Sequence, residues 1–285
     1  MPLPQLEFRF EYQSKEGKIY SKPIFYRPYI SDDEKYLLMG MQSMKGLSTD
    51  MDLNAVGFIN DFIKRCVIID QEEDRREIEQ ILDTMSYIDK IWLFFLIRAK
   101  SYSNTITYPK QCSKCGEKID IKVDIEKEIS LSHNFDGSKE ILILPDGNSV
   151  ELVLKTPRLD TFGFALELKT KWESMKQNDV KPEDLDDMFK QIDKMLFELV
   201  NRIVMGGKLY DNDDVDSFNR FFKPIPSKGK ADLLTKILDK IPQFVVDKVV
   251  KCNGIINSVD SAGLPHEEKC GESLHVEEKG VISFL

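Results

Sequence analysis

Two short turns constrain this chain more than anything else in it: "QCSKCGEKID" at 111–120 and "KCGESLHV" at 269–276. A Cys-x-x-Cys-Gly turn grips a metal ion from one side. Its glycine permits a backbone conformation that aims amide N–H groups at the sulfurs. A zinc ion normally takes four ligands, so the first turn is half a site. Cys252 and Cys270 are the remaining cysteines apart from Cys66. Cys115 and Cys270 each open a Cys-Gly-Glu sequence that leads into a strand-like run with a valine and an acidic residue. The expected site is therefore Cys112, Cys115, Cys252 and Cys270, with zinc as its cofactor. Four thiolates close a tetrahedral site and leave no open position, which suits structure rather than catalysis. Two features depart from a compact ribbon: "NGIINSVDSAGLPHEEK" divides the second pair, and the two pairs lie far apart along the chain. His266 is the alternative fourth ligand if Cys252 merely packs. A redox pair is the competing reading of Cys112 and Cys115. It is disfavoured because strands flank them, not the start of a helix that would lower a thiol pKa. His133 and His275 read as surface or strand residues.

The 285 residues suffice for one large core or two modest ones, and 41% hydrophobic with 31% charged residues fits a soluble globular protein. A net charge of −9 argues against a broad nucleic-acid surface, which needs clustered Lys and Arg. No apolar stretch approaches the roughly 20 residues that span a bilayer. The nearest, "IWLFFLI", is flanked by Lys90 and Arg98. The start, "MPLPQLEFRFEYQ", has no basic and apolar leader, so the expectation is no membrane insertion and a protein that stays where it is made. Cysteines in such a chain are better metal ligands or core fillers than disulfides.

Periodicity predicts an α+β fold. "LEFRFEY" and "GKIYSKPIFYRPYI" alternate around a turn at "SKEGK", and Ser31 is the expected N-cap of a helix with Asp32, Asp33 and Glu34 in its first turn. Leu53, Val56, Ile59, Phe62, Ile63 and Cys66 recur at helical spacing, which points Cys66 into a core. "DRREIEQILDTMSYIDKIWLFFLIRAKSYS" reads as one or two helices, its second half apolar all round. Ile119, Ile121, Val123 and Ile125 share one face of a strand after the cysteine turn. "EILILPDGNSVELVLKTP" is a β-hairpin. Helices follow from Leu159 and from Pro182, the latter expected to run to Gly206 and Gly207, then shorter helical pieces and a bend at Pro242. The implied organisation is an N-terminal hairpin and helical region over 1–104, a zinc-ribbon-like unit built by 105–129 with 248–285, and a hairpin-plus-helices insertion over 130–247.

No catalytic constellation is present: no P-loop, dinucleotide turn, HExxH or nucleophile elbow. "DNDDVD" at 211–216 resembles a calcium loop but lacks its glycine and distal glutamate, Phe222 standing in the last place, so a solvated acidic turn is favoured. Asp186 and Asp187 read as a wet helix face. Lys110, Lys114, Lys118 and Lys122 lend the first turn a basic trace, but Glu267, Glu268, Glu272, Glu277 and Glu278 make the second acidic. Protein partners therefore fit better than nucleic acid; a zinc-ribbon adaptor for nucleic acid or a nucleic-acid enzyme is the alternative function. "FYRPY" at 25–29 is either a partner surface or strand-to-helix packing, and the terminal "ISFL" is a second candidate docking segment.

An extended N-terminus entering "YRPYISDDEKYLL", an apolar helix feeding "TITYPKQCSKCGEKIDIKVDI", a second cysteine turn and the close in "GVISFL" follow one order. That order resembles the baseplate hub subunits and hub-assembly proteins of T-even-type, contractile-tailed bacteriophages. The stretch from Trp92 to Ile125 carries the resemblance most specifically. It implies a non-enzymatic virion or assembly component, made in the host cytoplasm and located at the tail baseplate. Its partners would be other baseplate and tail proteins, and the resemblance allows a homo-oligomer within a symmetric baseplate.

Overall fold

The computed structural model describes residues 8–44, 53–133, 138–144, 147–177, 182–211, 215–259 and 265–279. It is α+β, as the periodicity predicts. The chain forms two compact units, each built from two separated segments: Met1–Ile97 with His133–Pro242, and Arg98–Ser132 with Gln243–Leu285.

The first segment pairs β1 (Phe10–Glu11) with β2 (Phe25–Tyr26) antiparallel. The strands meet further from the turn than "SKEGK" implies, because the intervening loop is fastened elsewhere. Ser14 Oγ, the Lys15 and Glu16 amides and Tyr20 OH all donate to the carboxylate of Asp89. Helix α1 (Ser31–Met44) begins one residue earlier than a Ser31 cap would set it. The Glu34 amide already bonds Ile30 C=O, so Ile30 holds the cap position. The Asp33 carboxylate reaches back to the Ile30 N–H at 3.0 Å, half of a capping box. In α2 (Leu53–Cys66), Val56, Ile59, Phe62, Ile63 and Cys66 are buried on one stripe, and the Leu53 side chain lies outside the described residues. The chain then enters β3 (Val67–Ile68), which pairs with β2.

"FYRPY" is committed to packing. Tyr26 is buried, Arg9 lies over the Phe25 ring, Arg27 bonds Asp33, and Tyr29 meets the edge of Phe62. Two helices follow, α3 (Glu72–Thr84) and α4 (Tyr87–Ser101). Ile91 through Ile97 are all buried, so the apolar run is a core helix.

In the second unit, β4 (Thr105–Gln111) and β5 (Lys118–Asp124) form a hairpin around the first cysteine turn. Ile121, Val123 and Ile125 are buried on the expected face, Ile119 partly. A short α5 (Ile125–Glu128) and β6 (Ser130–Leu131) complete this segment.

Returning to the first unit, β7 (Lys139–Ile143) and β8 (Ser149–Leu154) pair as the predicted hairpin. Helix α6 (Leu159–Gln177) follows, then α7 (Pro182–Leu199). Here the sequence reading needs correction, because α7 does not run to the glycines. Val200–Met205 is strand β9 and Lys208–Asp211 is β10. Gly206 and Gly207, at φ 56° and 76°, are the turn between them. Two adjacent positive φ values make a type I′ hairpin turn, which only glycine, Asn or Asp accept readily. The sheet runs β10-β9-β8-β7. Its inner residues Val150, Leu152, Leu154, Val200 and Ile203 are buried. Helices α8 (Val215–Phe222) and α9 (Ser227–Asp239) end the unit, and α6, α7 and α9 pack on one another.

The final segment supplies β11 (Phe244–Lys251), β12 (Ile255–Val259), β13 (Pro265–Lys269) and β14 (Ser273–Lys279). Strand β11 is central, between β14 and β6, and β12 pairs with β13. The terminal "ISFL" lies outside the described residues. Among the described residues no helix is long and apolar enough to cross a membrane.

Candidate metal centre

The long "NGIINSVDSAGLPHEEK" separation is not a loop across the site. Its described residues pair as strands β12 and β13, whose register puts Ile255 opposite Lys269. The ends of the excursion therefore meet, and the Cys270 amide bonds Gly254 C=O at 2.8 Å. Removing the excursion in thought leaves a cysteine turn of ordinary size.

The two turns are built alike. Gly116 N–H donates to Cys112 C=O at 2.9 Å, and Gly271 N–H to Cys252 C=O at 3.0 Å. The Cys112 amide bonds Glu117 C=O, and the Cys252 amide bonds Glu272 C=O, each at 2.8 Å. Gly116 and Gly271 both sit at positive φ, 77° and 63°, where an L side chain is strained. The Cys-Gly-Glu resemblance read from sequence is thus a resemblance of backbone.

Facing each other, the turns bring the Sγ atoms of Cys112, Cys115, Cys252 and Cys270 within 4.8 Å of one another. Cys112 and Cys270 stand 3.6 Å apart, Cys115 and Cys252 3.5 Å. A tetrahedral ion with metal–sulfur bonds of about 2.3 Å needs sulfurs about 3.8 Å apart, so the spacing suits such an ion. Three of the four are buried and Cys115 is half-buried. Together they can hold a metal ion.

The electrostatics are uneven. N–H groups of Cys115 and Lys114 directed at Cys112, outweighing desolvation, hold its thiol down at about 7. Desolvation pushes the Cys252 thiol up to about 12, although the Gly254 amide points at its sulfur from 3.3 Å. Desolvation raises Cys270 as well, against the Glu272 amide. Thiols this crowded and dry do not all ionise unaided, whereas a divalent cation among them makes thiolate the favoured form.

Gly254 is the residue that sequence reading passes over. A Cβ there would stand 2.6 Å from Cys115 Sγ and 2.9 Å from Glu117 Cβ. The matching place in the first turn is Lys114, so comparing the halves gives no hint of it; the "CNG" triplet was the available signal.

Other singled-out residues lie elsewhere. The His266 side chain is outside the described residues. His133 bonds Lys240 C=O, and His275 pairs with Asp247 at 2.6 Å. Cys66 is fully buried, its thiol pushed up to about 12 by that burial. Of "DNDDVD", residues 212–214 are outside the described residues, while Asp211 pairs with Arg202 at 2.7 Å. Asp186 and Asp187 are exposed on α7.

The family model described as T4 bacteriophage base plate protein matches residues 9–265. The chain belongs to that family. The base plate match covers parts of both units and three of the clustered cysteines, ending before Cys270. Searches of curated proteins and of solved structures found no match.

Proposed function

We propose that this protein is a non-enzymatic component or assembly factor of a contractile phage tail baseplate hub. In this reading a zinc ion on Cys112, Cys115, Cys252 and Cys270 ties residues 105–129 and 248–285 into one ribbon-like unit. The base plate family match along most of the chain carries the baseplate role. Four sulfurs at ion-binding spacing, with amides aimed at them, support the metal. A structural zinc contributes apparent binding energy on the order of 10 kcal/mol, enough to hold a small β unit whose apolar core is thin. The chemistry asked of the chain is to bind, not to react: amides and backbone turns pre-place thiolates, and packed strands hold partner-facing surface in one shape.

Silencing the gene during infection tests the role. Loss of baseplates is the expected result, and normal particles would overturn the proposal. Mass spectrometry of purified virions then separates subunit from assembly factor. Elemental analysis of the purified protein should give one zinc per chain, lost in a Cys252→Ser variant and kept in Cys66→Ser. Absence of metal from folded protein would remove the zinc part alone.

A further inference from the structure

The four-cysteine centre holds its sulfurs in crossed pairs. Cys112 Sγ stands 3.6 Å from Cys270 Sγ, and Cys115 Sγ 3.5 Å from Cys252 Sγ, each pair reaching from one turn to the other. Amides cover three of these sulfurs from the side of their own turn. N–H groups of Lys114 and Cys115 point at Cys112, that of Gly254 at Cys252 from 3.3 Å, and that of Glu272 at Cys270. An incoming sulfur is therefore least obstructed when it comes from the opposite turn. A disulfide bond is about 2.05 Å long, so closing either crossed pair asks for about 1.5 Å of approach, shared between two side chains.

We propose that this centre is a convertible clasp: a hydroperoxide oxidises it to two disulfides, Cys112–Cys270 and Cys115–Cys252, and the zinc ion leaves. The proposal rests on the zinc reading above for the ion, and on the sulfur geometry alone for the pairing. Cys115 is the half-buried sulfur, so the oxidant reaches it first. Its thiolate attacks one peroxide oxygen, the O–O bond breaks, and with one proton a water departs, leaving a sulfenic acid. The Cys252 thiolate then attacks that sulfur and expels hydroxide, which a proton turns into water. Each bridge thus consumes two thiolates, one peroxide and two protons and yields two waters. The sulfurs lose the electron pair that the peroxide gains. With two of its four ligands spent, the ion is no longer enclosed, and Cys112 and Cys270 follow the same course.

The pairing decides the consequence. Crossed bridges tie positions 158 and 137 residues apart, so they hold the two chain segments of the second unit together as the ion did. Bridges within each turn would close only local loops and leave the segments joined by strand pairing and packing. Cys66 takes no part, being fully buried in α2 of the first unit. In the proposed role the chain is made in a reducing compartment and later carried outside it, where free thiolates do not last. A clasp that converts from ion to covalent bond stays shut across that passage.

The test treats purified, reduced full-length protein with hydrogen peroxide after the reductant is removed. Free thiols should fall from five per chain to one while a chromogenic chelator registers the released zinc. Trypsin cleaves after Lys114 and after Lys269, so the four cysteines part into separate peptides and mass spectrometry without reduction reads the connectivity. Crossed linkages are the expected result. The oxidised, zinc-free protein should resist protease in 98–132 and 243–285 as well as the zinc-loaded form does, whereas the reduced, chelator-stripped form should be cut. Cys112–Cys115 or Cys252–Cys270 linkages overturn the proposal. So do sulfinic acids without disulfides, thiols left intact by excess peroxide, or an oxidised form cut as fast as the stripped one. A reduced protein that carries no zinc ends the metal reading alone, because the connectivity is then read on the metal-free chain.

Discussion

Gly254 and Cys115 approach so closely that a methyl group on the glycine would stand 2.6 Å from the cysteine sulfur. Its backbone is not at positive φ, so the demand for glycine here is purely one of space. Gly254→Ala must push the two turns apart or twist a sulfur off its position. Overpacking at a tight site costs about 1–3 kcal/mol. The expected outcome is a full-length protein that yields zinc to a competing chelator sooner than the wild type. Unchanged zinc retention would mean that the turns are looser than their hydrogen bonds indicate.

Asp89 is a different kind of fastening. The carboxylate is wholly buried and takes the four donors of the 14–20 loop, while Tyr12 OH donates to its backbone carbonyl at 2.9 Å. Lys15 also lies 3.9 Å over the Trp92 ring. Removing one buried acceptor strands several donors together, each costing about 1–3 kcal/mol unless water enters. Asp89→Ala should lower the urea midpoint by the equivalent of ~3 kcal/mol or more and expose 13–22 to protease. Tyr20→Phe, which removes one donor, should do far less.

How much of this was legible in the sequence depends on the reach of the contacts involved. Helix α2 and its buried stripe, the β7–β8 hairpin and the cysteine turns were readable because each is set by neighbours within a few residues. The four-cysteine cluster was also readable, because two similar turns are informative however far apart they lie. The Asp89 clamp was not, since the groups that bond its carboxylate lie 69 to 75 residues earlier in the chain and nothing local points to them. The "LVNRIVMGG" error had a readable cure. A helical pattern running into Gly-Gly invites a helix end, but a β-branched run before Gly-Gly and alternation after it is also a hairpin signal.

That turn gives a sharp comparison. Gly207, at φ 76°, should resist any β-branched replacement, because the left-handed region costs an L residue about 1–2 kcal/mol. Asparagine tolerates that region, so Gly206→Asn should be nearly neutral. Thermal melts of Gly207→Val and Gly206→Asn should differ clearly. If they coincided, the β9–β10 pairing would not depend on the turn.

Lys90 supplies the pH dependence. It is 4% exposed in α4, and desolvation lowers its amine to about 8, against the raising influence of Asp83 and Asp160 and alongside Lys64 and Arg158, which also lower it. An unfolded lysine titrates near 10.4. Between about pH 8 and 10.4 the unfolded chain therefore binds more protons than the folded one, and this residue's contribution to stability rises with pH across that window. Below pH 8 the folded state bears the whole cost of a charged amine in a dry place. Lys90→Met removes that cost, so it should stabilise the protein at pH 7 by ~1–3 kcal/mol. The advantage should shrink as pH climbs toward 10. Taking the difference between variant and wild type cancels the thiols and tyrosines that titrate in the same range. A gap constant with pH would mean that Lys90 reaches water through a motion of the helix and keeps its charge.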